Sequence, residues 1–361
     1  AEAAVKSGPN DVLPPPDPVF KNAKPCSTYY GQKIATTLPQ LVANPQPYAP
    51  CGYKPGQIRG AYGTAAAQSQ GYDGRGATVA VVDAYASKYI YKDAAKYASV
   101  NDPSHPLRDY QFNQVLPAGF SHADECGASG WYGEETLDVE AVHATAPGAK
   151  ILYVGAESCY DNDINAAVNT IVDNQLAQII TNSYGETDDV VAPADLAGSH
   201  QTALQAAAEG ISMIFPSGDD CDEIAASGQR QTDFQASDPK VTAVGGTALS
   251  VTKSDGYRFE QGWGTGKSTL TDGAWTPVPP AYLYGGGGGT THLFAEPNYQ
   301  KGVVPAGLAN YFGEGPHRVV PDVAMVGDPN TGFLVGQSQT FPNGKIKYSE
   351  YRIGGTSLSS P

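Results

Sequence analysis

The sequence predicts an α/β fold in which a mostly parallel, twisted sheet carries helices on both faces. Three observations lead there. Short β-branched runs alternate with helix-like segments between residues 77 and 244, no repeat of fixed period interrupts them, and polar residues gather where the strand-like runs end.

Residues 77–83 (ATVAVVD) form a strand buried on both sides by their β-branched content, and residues 88–97 follow as helix. Residues 150–155 (KILYVG) are a second strand and 163–172 a second helix. A third strand at 177–183 leads to an Ala-rich helix at 193–209, a fourth strand at 212–217 and a short apolar run at 241–244. Strands joined through helices make right-handed crossovers, and ligands of such sheets sit beyond the carboxyl ends of the strands. Asp83, Ser183 and Asp219 fall at or just after three of those ends. From about residue 250 Gly and Pro dominate, which predicts irregular β and loop structure. The five glycines Gly285 to Gly289 read as backbone that approaches an extended peptide. Gly266-Lys267-Ser268 is a turn rather than a phosphate loop, because Gln261 stands where that loop needs glycine.

Residues 1–56, rich in Pro, Asn and Ala, read as an arm, a linker or the remnant of a propeptide, and residues 57–361 as one domain. With 40% apolar residues in 361, the chain can bury a sizeable core. Its 37 carboxylates against 22 Lys plus Arg give a net charge of -15. Such a surface opposes nucleic acid and anionic membrane, so neither is an expected partner. No apolar run reaches the length of a membrane span. The five cysteines show neither C-x-x-C nor zinc-ligand spacing with His. Disulfides formed in an oxidising compartment, hence a secreted product, are the expectation. Chain order suggests Cys26–Cys51 and Cys126–Cys159, leaving Cys221 over.

The chemistry centres on Gly354-Gly355-Thr356-Ser357, which follows the strand-like run 346–353. A serine at such a strand-to-helix turn exposes its hydroxyl beside free N–H groups and the positive end of a helix, which suits a nucleophile. A Ser/Thr N-cap in a glycine-rich turn uses the same residues. Pro361 completes G-T-S-x-x-x-P, the serine box of the subtilisin-like clan. The base that serves Ser357 then decides the branch. No H-G-T-H run occurs, and His143 alone lies near the corresponding place, late in its helix. That place holds Glu134 and Asp138, one helical turn apart, opposite an apolar face of Leu137, Ala141 and Ala144. Taken alone, the pair reads as a solvated acidic face; it is its company that points to chemistry.

The boxes E-x-x-L-D at Glu134, S-Y-G at Ser183, S-G-D at Ser217, A-V-G-G-T at Ala243, E-P-N-Y-Q at Glu296, P-D-V-A at Pro321 and the serine box follow one another in order. Together they resemble the sedolisins, the serine-carboxyl peptidases of the subtilisin-like clan, from about Pro55 to Pro361. The resemblance implies a subtilisin-like fold and a peptidase domain over 57–361, incomplete at its C-terminal end. It implies Ser357 as nucleophile, Glu134 as general base and then acid, Asp138 behind it, and Asp219 in the oxyanion hole. Asp83, Ser183 and Tyr184 take supporting roles. Protein or peptide substrates, acidic working pH, calcium held by ligands beyond Pro361, and a separate C-terminal fragment of the same protein as partner are further expectations. Acid suits this chemistry, because an Asp donates to an oxyanion only when protonated. A His-based subtilase working through His143, and a silent binding protein of the same fold, are the alternatives.

Overall fold

The computed structural model describes residues 33–35 and 45–361 except residue 342. At its centre stands a sheet of eight strands, β1 (Thr78–Ala84), β2 (Phe112–Val115), β3 (Lys150–Ala156), β4 (Ile179–Asn182), β5 (Ser212–Pro216), β6 (Thr242–Val251), β7 (Tyr257–Gly262) and β8 (Val323–Val326). Their order is β8-β6-β5-β4-β1-β3-β2, all parallel, with β7 antiparallel on β6. The long helices are α1 (Ile90–Asn101), α2 (Ala128–Thr145), α3 (Asp161–Asp173) and α4 (Pro193–Glu209).

Alternation along β1 sorts them into layers. Ala80 and Val82 join Ile164, Val168 and Ile171 of α3 with Ala203 of α4, whereas Val79 and Val81 join Ile90 and Ala94 of α1 with Val139 and Val142 of α2. The sheet is therefore covered on both sides, which its uninterrupted apolar strands require. Register places the functional rim: Val82 pairs with Asn182, so Asp83 and Ser183 leave adjacent strands at the same end.

An antiparallel hairpin, β9 (Phe333–Thr340) with β10 (Ile346–Ile353), carries the chain back to a last short helix, α5 (Thr356–Ser359). Residues 45–54 belong to the body of the domain. Ala49 and Tyr53 are fully buried in one cluster with Phe333, Leu334 and Leu358, and Arg352 donates to the Ala49 carbonyl. Pro55 already begins a helix, Pro55–Ala61, two residues before the boundary expected from composition. The remainder of the arm, apart from Lys33–Ala35 paired with Gln46–Tyr48, lies outside the described residues.

The C-terminal half is more regular than its Gly and Pro content predicted. Gly264–Thr271 pairs with Ala274–Gly285, and Gly289–Ala295 with His317–Val320. Gly266-Lys267-Ser268 is strand, not turn. The glycine run approaches the chain's own backbone instead of an open groove. A Cβ on Gly287 would lie 2.1 Å from the Ser217 carbonyl oxygen, and one on Gly286 2.9 Å from that of Gly246. The Gly287 N–H donates to the Gly218 carbonyl, and the Ser217 hydroxyl to the Gly287 carbonyl. Gly287→Ala is therefore expected to destabilise the fold, with a fall in denaturation midpoint that Gly289→Ala, whose Cβ meets nothing nearer than 3.5 Å, shows less through crowding.

Cys126 and Cys159 form a disulfide, as chain order suggested, and Cys221 is a free, partly buried thiol. The proposed Cys26–Cys51 pair falls on residue 26, outside the described residues.

Candidate active site

Helix α2 is buried nearly all round, so its carboxylates do not make the solvated face that an isolated E-x-x-x-D suggests. They divide by task. Glu135 accepts the Ser87 N–H and anchors the turn that follows Asp83. Glu140 accepts the Gly336 N–H, and Asp93 of α1 accepts both the N–H and the hydroxyl of Ser338, so two acids dock the β9–β10 hairpin. That hairpin delivers the serine. Leu137, Ala141 and Ala144 pack in one cluster with Phe333, Tyr351 and Leu358, which sets α2 beside α5.

The Ser357 hydroxyl lies against Glu134 and favours its ionised form. Burial works harder in the opposite direction, with the Asp219 charge adding to it, and the Glu134 carboxyl is pushed up to about 7. Behind it Asp138 and Asp83 are fully buried. Among the described residues no backbone N–H bonds either group, and the Ser183 hydroxyl is the donor that acts on Asp138. Burial, then their mutual repulsion and that of Glu134, holds Asp138 well above the carboxylate range, with the Ser183 hydroxyl pulling weakly the other way; Asp83 is raised by burial and by Glu134. Three carboxyls stacked in a dry interior hold protons among themselves and titrate as one system.

Asp219 approaches from the strand-end loop after β5. Its Oδ1 accepts the Thr356 N–H at 2.7 Å and the Thr356 hydroxyl at 2.8 Å, which leaves Oδ2 free. A Cβ on Gly355 would stand 2.9 Å from that Oδ2, and Gly355 has φ +121°, so only glycine fits here. Enclosure by protein raises the Asp219 carboxyl, Thr356 lowers it, and Asp220 adds a smaller upward push. Protonated, Oδ2 is a donor aimed at the cleft beside Ser357. Gly355→Ala is expected to displace Asp219 and cut turnover, and the backbone strain at φ +121° is expected to lower the thermal midpoint as well.

The residues expected from sequence converge. Ser183, Tyr184, Asp219 and Ser357 line one cleft, and the Ser183 hydroxyl points to the Ser357 carbonyl at 3.5 Å. The Tyr184 hydroxyl donates to Asn182 while its ring packs edge-on against Phe215. Thr356 and the cleft acids Asp220, Glu223 and Asp233 were not anticipated, although the T of the serine box was in view. His143 is elsewhere. It lies about 13 Å along α2 from Glu134 at 1.5 Å per residue, its Nε2 bonds the His105 carbonyl, and burial lowers its pKa.

The buried acids also set how stability depends on pH. Glu134 at about 7 and Asp328, raised by burial to about 6, protonate more readily folded than unfolded. Their contribution is fully present below the ordinary carboxylate range near 4 and is lost as pH rises through 6 to 7. Thermal midpoints are expected to be higher at pH 4 than at pH 7.5, by an amount equivalent to a few kcal/mol, since each unit of separation is worth about 1.4 kcal/mol.

With this geometry in place, comparison with known proteins is direct. The subtilase family profile matches residues 74–361. Kumamolisin from Bacillus sp. (strain MN-32) is 31% identical over 324 residues, 89% of this chain and 52% of that protein. Sedolisin from Pseudomonas sp. (strain 101) is 27% identical over 259 residues, 69% of this chain and 40% of that protein. Human tripeptidyl-peptidase 1 is 26% identical over 52% of this chain and 30% of its own length. The chain thus spans about half the length, or less, of these curated relatives. The solved structure of Pseudomonas sedolisin, a serine-carboxyl proteinase complexed with two molecules of pseudo-iodotyrostatin, matches with a TM-score of 0.64 at 23% identity, over 85% of this chain and 77% of that one, which bears on the fold. The profile match over most of its length, and the kumamolisin and sedolisin relatives, place this chain in the subtilase family and, within it, among the sedolisins.

Proposed function

We propose that this chain forms the catalytic body of a secreted, acid-acting serine-carboxyl endopeptidase. The observation that carries the proposal is the Ser357 hydroxyl set against Glu134, with Asp138 and Asp83 behind it and the free Oδ2 of Asp219 across the cleft. Ser357 Oγ attacks the peptide carbonyl carbon while its proton passes to Glu134. The carbonyl oxygen becomes an oxyanion and receives a hydrogen bond from protonated Asp219. Collapse breaks the C–N bond as Glu134 returns the proton to the leaving amine, and an acyl group remains on Ser357. Water then loses a proton to Glu134 and attacks the acyl carbon; collapse breaks the C–Oγ bond as Glu134 returns the proton to Ser357 Oγ, which releases the acid and restores both groups. Asp138 and Asp83 spread the proton that Glu134 takes up.

The active microstate pairs ionised Glu134 with protonated Asp219, so kcat/KM is expected to be bell-shaped, with its maximum below pH 7. A maximum at neutral pH with loss on His143→Ala would instead indicate a histidine base. Absence of an acyl-enzyme burst at any acidic pH would indicate a silent binding protein.

The Cys126–Cys159 disulfide supports an oxidising, extracellular destination, and no helix among the described residues is long and apolar enough to cross a membrane. A further C-terminal segment of the same protein is the proposed partner, and the apolar pocket beside helix α5, lined by Ile58, Ala141, Val244, Met325, Phe333 and Leu358, is the surface it would cover. Among the described residues no three His, Cys, Asp or Glu gather to hold a metal. Calcium therefore remains a proposal for residues beyond Pro361, and no step passes through it.

A further inference from the structure

The hairpin formed by Gly264–Thr271 and Ala274–Gly285 is exposed along most of its length. Its turn, Asp272-Gly273, has φ +52° and +82°, both in the left-handed region that a tight two-residue hairpin turn requires. This is ordered structure standing in solvent. Beyond the turn, Leu270 sits directly opposite Trp275, so the two share one face. They are 55% and 36% exposed, and Val278 nearby is 67% exposed. Lys267 and Asp272 are the hairpin's only charges, and they cancel.

The hairpin's root is the wall of the cleft. The Gly285 N–H donates to the Asp219 carbonyl at 2.7 Å, and the Cys221 N–H donates to the Gly285 carbonyl at 3.0 Å. Trp263, just before the hairpin, packs against Tyr284 with ring centroids 5.9 Å apart. An arm of no net charge, with an apolar side-chain pair near its tip, thus rises directly from the loop that carries Asp219.

Resting on the peptidase reading above, we propose that this hairpin is a docking arm for unfolded protein substrates, holding apolar side chains of the extended chain beyond the cleft. A second copy is the poorer occupant, because each copy carries a net charge of -15. Three prolines, Pro277, Pro279 and Pro280, remove N–H groups from one strand, which discourages edge-to-edge pairing between hairpins. What remains suited to contact is the side-chain face at the tip. The arm reaches roughly 25 Å from the cleft at about 3.3 Å per residue. A short peptide centred on Ser357 does not extend that far.

The test compares wild type with the double variant Leu270→Ser/Trp275→Ser on two substrates. One is an internally quenched peptide of about eight residues, which spans roughly 14 Å on either side of its centre. The other is a reduced, carboxymethylated protein. The variant is expected to hydrolyse the peptide as wild type does, while KM for the protein rises roughly fivefold or more with kcat little changed. Equal rates on the protein, or equal losses on both substrates, would overturn the proposal. So would a wild-type dimer, seen by sedimentation, that the double variant converts to monomer. Should wild type hydrolyse neither substrate, the peptidase reading fails separately. Binding then decides the arm: Trp275 emission in Ser357→Ala should respond to the carboxymethylated protein, and Leu270→Ser should weaken that response. No response would overturn the docking proposal itself.

Discussion

Replacing Asp219 with Asn is expected to preserve turnover and extend it toward neutral pH, whereas Asp219→Ala loses roughly 10²–10³-fold in kcat, the usual cost of one oxyanion donor. The geometry dictates this contrast. Oδ1 of Asp219 is held by both donors of Thr356, so an asparagine must keep its carbonyl there and place its amide N–H₂ at the Oδ2 position. That amide donates at every pH, while the carboxyl donates only when protonated. The basic limb of the kcat/KM profile should therefore move up in Asp219→Asn, leaving the acid limb set by Glu134. Glu134→Gln is expected to remove that limb together with nearly all turnover, and Ser357→Ala to abolish turnover with the fold intact by circular dichroism. Full pH profiles of the variants, measured with any C-terminal segment supplied, check all of these. An unshifted basic limb in Asp219→Asn would remove Asp219 from the oxyanion role.

The second large effect concerns stability. Arg318 is fully buried, its Nη1 and Nη2 donate to Asp322 Oδ1 and Oδ2 at 3.0 and 2.7 Å, and Oδ2 also accepts the Ala243 N–H. Asp322→Ala is expected to cost about 3–5 kcal/mol, because it leaves a buried guanidinium with no anion, only the Tyr299 hydroxyl and the carbonyls of Ala236 and Val241. Urea denaturation should show the fall at acid pH, where the fold is most stable. The P-D-V-A box is on this account a fastening of β8 to β6, and Val326 at the end of β8 packs in one cluster with Leu137 of α2 and Leu358 of α5.

The centre of the sheet was legible because β1, β3, β4 and β5 are dense in β-branched and apolar residues, a signal that survives without tertiary context. The edges were not. Phe112–Val115 and Val323–Val326 are four residues long, too short for periodicity to speak. The hairpin at 264–285 carries Gly, Pro and polar residues that mimic loop, and only pairing across the Asp272-Gly273 turn makes it sheet. Within the site, Ser357, Glu134, Asp138 and Asp219 were recognisable from boxes of known order. Thr356 was not singled out, because its task is to hold a carboxyl 137 residues away. Equally hidden was the split among the acids of α2. Spacing distinguishes faces of a helix, but all its faces turned out to be interior.

The dry stack of acids between α2 and β1 bears on lifetime as well as on chemistry. A molecule carried from acid to neutral surroundings gives up, as the Glu134 and Asp328 protons leave, part of the margin that keeps its interior closed. How long it persists away from acid is thus written into its own core.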